Sequence, residues 1–187
     1  MPAPPALLII DVQNAIDDPR WAAEGPRNNP EAEARIAELL GAWRVRRGPV
    51  FHARHDSTES GSAYAPDAAG HGFKTCAEPA PGEAVIAKST NSAFIGTDLD
   101  PILRGLGVER LVVCGVITNN SVEATVRMAG NLGFDTVLAE DACFTFARRD
   151  WAGVLRSAQE VHDLSLANLD GEYCRVTTTA QILAELG

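Results

Sequence analysis

Arg110-Leu-Val-Val-Cys-Gly115-Val-Ile-Thr-Asn-Asn-Ser121-Val-Glu-Ala-Thr-Val-Arg-Met-Ala-Gly-Asn-Leu-Gly133 is the stretch whose reading decides the fold. Its first six residues read as a strand, with a short apolar run over Leu111–Gly115 as in a strand buried on both faces. From Asn119 to Leu132 the apolar residues Val122, Val126, Ala129 and Leu132 recur at helical spacing, and Gly133 closes the segment. A strand that passes through a tight turn into a helix is one half of a βαβ unit.

The same alternation extends outward in both directions. Ala6–Asp11 is an apolar run that ends in a carboxylate, and Pro30–Arg47 carries Ile36, Leu39, Leu40 and Trp43 on one helical face. Strands are predicted over Pro49–Ala53 and Glu83–Lys88, with a short helix over Leu99–Leu106. Beyond Gly133 the pattern predicts a strand over Asp135–Ala139, a helix over Asp150–His162, a strand over Tyr173–Thr177 and a helix over Thr179–Leu186. Repeated βαβ units imply an α/β fold of three layers, a mostly parallel sheet with helices on both faces. Residues 54–82 lack periodicity, and a loop of that length inside a compact domain is usually functional.

With 187 residues the chain reads as one domain, 1–187, able to bury roughly two-thirds of its unfolded surface. A formal charge of −9 argues against nucleic acid or an anionic membrane as partner, because both require clustered Lys and Arg. The apolar run near the N-terminus is too short for a signal peptide or a membrane span, so a cytoplasmic location is expected. The four cysteines, Cys76, Cys114, Cys143 and Cys174, show no CxxC spacing. That argues against a disulfide framework or a zinc knuckle.

In open α/β sheets ligands bind beyond the carboxyl ends of the strands. Three polar features fall there: Asp11, Lys88 and Ser121. Each has an ordinary reading when taken singly. Asp11 could cap a turn, Lys88 could be a solvated cation, and Ser121 could be a helix N-cap. Position 121 also lies near a helix N-terminus, where free N–H groups favour an anion.

Three ordered words surround these residues: Leu8-Ile-Ile-Asp-Val-Gln-Asn14, Lys88-Ser-Thr-Asn-Ser-Ala-Phe-Ile-Gly-Thr-Asp-Leu99 and Gly115-Val-Ile-Thr-Asn-Asn-Ser-Val-Glu-Ala-Thr125. With Arg127–Phe134, Glu140–Ala142 and Val161–Leu169 they make a chain that resembles the isochorismatase-like cysteine hydrolase superfamily along nearly its whole length. That superfamily includes nicotinamidases, N-carbamoylsarcosine amidases and ureide hydrolases. The resemblance implies a six-stranded parallel sheet, an Asp–Lys–Cys triad with Asp11 and Lys88 as its first two members, and a cis peptide before Ile117. It further implies an oxyanion hole from the backbone N–H groups of Ile117 and residue 121, and a homodimer or homotetramer.

Ser121 stands where the resemblance places the nucleophilic cysteine. Three accounts stay open: an engineered Cys→Ser form of an amidohydrolase, a natural serine or lyase-like site, and a catalytically dead ligand-binding homologue. The lyase-like case resembles true isochorismatases, where an aspartate protonates a vinyl ether without a nucleophile. The expected activity is hydrolysis of a small carboxamide, ureide or related C–N bond, without a cofactor.

Nicotinamidases of this superfamily carry a metal on an Asp-x-His word, which the segment Phe51-His-Ala-Arg-His-Asp56 lacks. His52, His55 and Asp56, with His71 further on, could still be ligands, yet no metal is expected. The substrate pocket is expected between the 54–82 loop and the segment after Lys88. Asn14, His52, Arg54 and Phe94 are its candidate contacts. Trp21, Tyr64 and Phe144 are set aside, because aromatic residues are more often core.

Overall fold

The computed structural model describes residues 4–186. Six parallel strands form the central sheet: β1 (Ala6–Ile10), β2 (Val50–His55), β3 (Ala84–Lys88), β4 (Arg110–Val116), β5 (Asp135–Phe144) and, late in the chain, β8 (Arg175–Thr177). Between β5 and β8 lies a small antiparallel hairpin of β6 (Arg148–Arg149) and β7 (Leu155–Arg156). The helices are α1 (Ala32–Arg46), α2 (Leu99–Gly105), α3 (Glu123–Asn131), α4 (Ala158–Leu169) and α5 (Thr179–Glu185). Among the described residues no helix is long and apolar enough to cross a membrane.

The sheet order is β3-β2-β1-β4-β5-β8. The chain therefore winds one way from β1 and the opposite way from β4. Right-handed crossovers then place the helices of the two halves on opposite faces. α1 and α5 pack together and on β5, and so do α3 and α4. Covered on both sides, β1 is apolar at every position, with Ala6 to Ile10 each at most 1% exposed. The gap between β1 and β4 is the topological switch point, where such sheets open a crevice.

Gly115 makes that crevice possible. It pairs with Ile10 across β1 and β4 and has φ +123°, and a Cβ there would sit 2.2 Å from the Ile10 carbonyl oxygen. Gly115→Ala is expected to cost about 3 kcal/mol or more, from the forbidden φ and the backbone clash together. Urea unfolding measures it. A variant as stable as the parent would mean that β4 can shift away from β1.

Two elements differ from their sequence reading. The helix expected over Asp150–His162 is instead the β6–β7 hairpin followed by α4. The Asp150 carboxylate accepts bonds from the N–H groups of Ala152 and Val154, both 3.0 Å, and from Arg156 at 2.9 Å. These bonds compete with helix formation. The helix starts after Ser157, which with Glu160 forms a capping box. β5 also runs five residues past Ala139, through the charged pair Glu140-Asp141. Asp141 has a structural role, accepting from the Thr179 N–H at 2.7 Å and hydroxyl at 2.8 Å at the start of α5.

Candidate active site

The carboxyl ends of β1, β3 and β4 bring Asp11, Lys88 and Ser121 together. Asp11 follows β1 with φ 53°, a conformation uncommon for a residue with a Cβ. Its N–H donates to the Ala53 carbonyl at 3.0 Å, which ties this turn to β2. Lys88 ends β3, two strands away, and its long side chain spans that distance. The ammonium donates to the Asp11 carboxylate at 2.8 Å and to the Thr90 carbonyl at 3.0 Å. The Ser121 hydroxyl lies 3.5 Å from it, at the limit of hydrogen-bond length. All three residues are buried.

Burial raises the Asp11 carboxyl above the usual carboxylate range, against the pull of the Lys88 ammonium and the Ser121 hydroxyl. Its Oδ2 holds Lys88, while its Oδ1 is buried and without a partner. His55 presents a second unpartnered buried atom, Nδ1. Burial first, and then the Lys88 charge, hold the His55 pKa below its ordinary value, which favours the neutral ring.

Position 121 lies in a single π-helical turn, Thr118–Val122, that leads into α3. The Val116–Ile117 peptide before it is cis. Among the described residues the Ile117 carbonyl accepts from the N–H groups of Asn120, at 3.1 Å, and Val122, at 3.4 Å, and from no N–H of Ser121. α4 steadies the turn from behind: the Thr118 hydroxyl meets His162 Nδ1 at 2.8 Å, and the Ser165 hydroxyl donates to the Thr118 carbonyl at 3.4 Å.

Asp11 and Ser121 open into a cavity of about 250 Å³. Its apolar walls are Ile16, Trp21, Val116 and Ile117. Ser57, Ser62, Asn91 and Asn120 line it with neutral polar groups, and His55, Tyr64 and Glu59 complete it. Trp21 and Tyr64, set aside in the sequence as more often core, meet edge to face at 6.2 Å and belong to this lining. Asn91 falls inside the word after Lys88, a signal that the sequence did offer. Ser57, Glu59 and Ser62 come from the aperiodic loop, where no local pattern distinguishes a lining residue from its neighbours.

The four expected pocket contacts stand elsewhere. Phe94 is in the core, stacked on Phe134 at 5.8 Å. Asn14 is exposed and donates to the Phe73 carbonyl at 3.3 Å. Arg54 forks onto Asp56 at 2.8 and 3.1 Å. His52 is buried on the other side of β2, with Nε2 2.9 Å from Glu83. Successive side chains of a strand point to opposite faces, so His52 and Arg54 share one side of β2 and His55 takes the other. Phe144, also set aside, is fully buried near Ile16 and Val116.

Side chains weighed as metal ligands are likewise divided: His52 on Glu83, Asp56 on Arg54 and His71, and His55 facing the cavity. Among the described residues no three His, Cys, Asp or Glu side chains converge as a ligand set. The four cysteines are free and none of them lines the cavity.

Glu83 has a structural role that can be measured. Arg44 and, more weakly, the Ala80 N–H and His52 hold its pKa down to about 2, from an ordinary 4.5. A depressed carboxyl contributes stability above its unfolded pKa and loses it as the pH falls through the folded value. Glu83→Gln is therefore expected to lower Tm by about 2–4 °C at pH 7. The gap to the parent should close as pH drops from about 4.5 to about 2. A gap that persists in acid would assign the effect to packing.

Comparison with known proteins agrees with the fold. The family model described as the Isochorismatase domain matches residues 5–181. A crystal structure of an isochorismatase-family protein from Chromobacterium violaceum superposes with a TM-score of 0.94 at 62% identity, covering 100% of this chain and 99% of that one. The uncharacterized isochorismatase family protein YrdC of Bacillus subtilis is 39% identical over 178 residues, 95% of this chain and 94% of its own. Streptothricin hydrolase of Streptomyces noursei is 36% identical over 145 residues, 75% of this chain and 50% of that protein. With the family model matched over residues 5–181 and relatives alike along nearly the full length, the chain belongs to the isochorismatase-like hydrolase family.

Proposed function

We propose that the chain is built as an amidohydrolase for a small carboxamide, ureide or related C–N bond, with position 121 as the site of the nucleophile. The observation that carries this reading is the buried Asp11–Lys88 ion pair beside residue 121, where Asp11 and Ser121 line one cavity. A nucleophile at 121 would attack the substrate carbonyl as Asp11 takes its proton. Lys88 holds Asp11 in place and favours the anion at 121. The N–H groups of Ile117 and residue 121 would receive the oxyanion, and water activated by Asp11 would release the acyl group.

With serine at 121 the nucleophile is a poorly acidic hydroxyl, and Asp11 is a weak base for it. Slow turnover with intact folding is expected. The test is hydrolysis of a panel of amides and ureides by the chain as it stands and by Ser121→Cys. No gain on any substrate would overturn the reading.

A second reading has its own support in the raised Asp11 pKa. A carboxyl that keeps its proton to higher pH could protonate a vinyl ether, as in true isochorismatases, with residue 121 idle. The two readings differ in sign. As a base, Asp11 must be ionised, so kcat/KM for amides should rise with pH through a value above the usual carboxylate range. As an acid it must be protonated, so vinyl-ether cleavage should fall through the same range.

A further inference from the structure

We infer, resting on the amidohydrolase reading, that the cavity selects small amides without a carboxylate, neutral or cationic, and that Glu59 at its entrance recognises the positive charge. The inference comes from a count of charges that a bound molecule would meet. Asp11 and Glu59 are the carboxylates of the lining. The cation nearest to the reacting position, Lys88, has a side chain 0% exposed and is engaged by Asp11 and the Thr90 carbonyl. Burial disfavours a positive charge on His55. All other polar lining groups are hydroxyls and amides.

Arginines of neighbouring segments are committed elsewhere. Arg54 is forked onto Asp56. Arg20 is forked onto Asp18 at 3.0 and 2.7 Å. Glu59 itself makes no ion pair among the described residues. It borders both the inner cavity and an adjoining one of about 300 Å³, which Trp21, Ser62 and Tyr64 also share and which the Asp18-paired Arg20 lines on its outer side alone. It therefore stands at the passage between them. A carboxylate brought into the inner cavity would lose its water and meet Asp11 and Glu59, with no Arg or Lys in the lining to answer it. An ammonium would find Glu59 beside the Trp21 and Tyr64 rings, a favourable setting for a cation.

The space suits one small ring with a short substituent. Three probes of matched shape isolate the charge: benzamide, 4-carbamoylbenzoate and 4-(aminomethyl)benzamide. Binding is measured by calorimetry on the chain as it stands, where Ser121 keeps turnover slow, and hydrolysis on Ser121→Cys. Benzamide and the aminomethyl compound are expected to bind about tenfold or more tighter than the carboxylate. Glu59→Gln should shrink the preference for cation over carboxylate several-fold.

Equal or tighter binding of the carboxylate, or no binding of any probe at millimolar concentration, would overturn the charge inference. An undiminished preference in Glu59→Gln would overturn the role of Glu59. The two readings fail separately. Binding in the expected order without cleavage by Ser121→Cys would sink hydrolysis and leave the charge selection standing. Cleavage led by the carboxylate would do the reverse.

Discussion

Ser121→Cys is expected to raise amide or ureide hydrolysis by about a hundredfold or more over the chain as it stands. The reason is the acidity of the attacking group. A free thiol has a pKa near 8.5, about five or more units below an aliphatic hydroxyl, and a neighbouring ammonium or helix N-terminus lowers it further. Both are present here: Lys88 is 3.5 Å from the side-chain oxygen of residue 121, and α3 begins two residues on. Serine at the same place gains too little from that field to ionise. Asp11→Asn in the cysteine background should return hydrolysis to the starting level, because the amide can neither take nor return the proton. Steady-state kinetics on the two variants decides the matter. If the Asp11→Asn double variant keeps the gain, Asp11 is not the base.

Lys88→Met is expected to be the most destabilising change in the site, by about 3–5 kcal/mol at pH 8. The methionine fills much the same volume, so the loss is electrostatic. It leaves the Asp11 carboxylate buried with neither oxygen paired, since Oδ1 already lacks a partner. The loss should depend on pH with a definite sign. Burial raises the Asp11 pKa in the folded state, and without Lys88 that rise grows. A raised group contributes stability that is present below its unfolded pKa and lost as pH climbs through its folded one. The variant should therefore recover stability on acidification, as Asp11 takes up a proton, relative to the parent. Adding Asp11→Asn should restore most of the loss, because no buried charge remains. Urea titrations at several pH values test this. A deficit that is equal at every pH would mean that Lys88 acts through packing.

Much of the fold was legible along the chain, element by element. The all-apolar β1, the Ile36–Trp43 face of α1 and the stripe of α3 reflect burial on both faces of a parallel sheet, which periodicity reports directly. The misplaced helix near Asp150 failed for a local reason that the sequence also held, since Ser157 and Glu160 spell the capping box. The extension of β5 through Glu140 and Asp141 was hidden, because the charge of Asp141 is answered from α5, 38 positions further on.

The candidate site divides along the same line. Asp11, Lys88 and Ser121 could be singled out in sequence because strand ends and motif order mark them without knowledge of any partner. The walls of the cavity could not. His52 and His55 are the same residue type on one strand, and only the register of β2 beside β3, which sets His55 opposite Lys88, decides which of them faces the reacting groups. Trp21, Glu59 and Tyr64 come from segments without periodicity and meet only once the chain has closed around the switch point. The sequence by itself determined the order of elements, the buried strands and the three polar strand ends, since these follow from local burial and turn chemistry. The tertiary structure alone decided the charge, shape and lining of the cavity, because those depend on distances between side chains far apart along the chain.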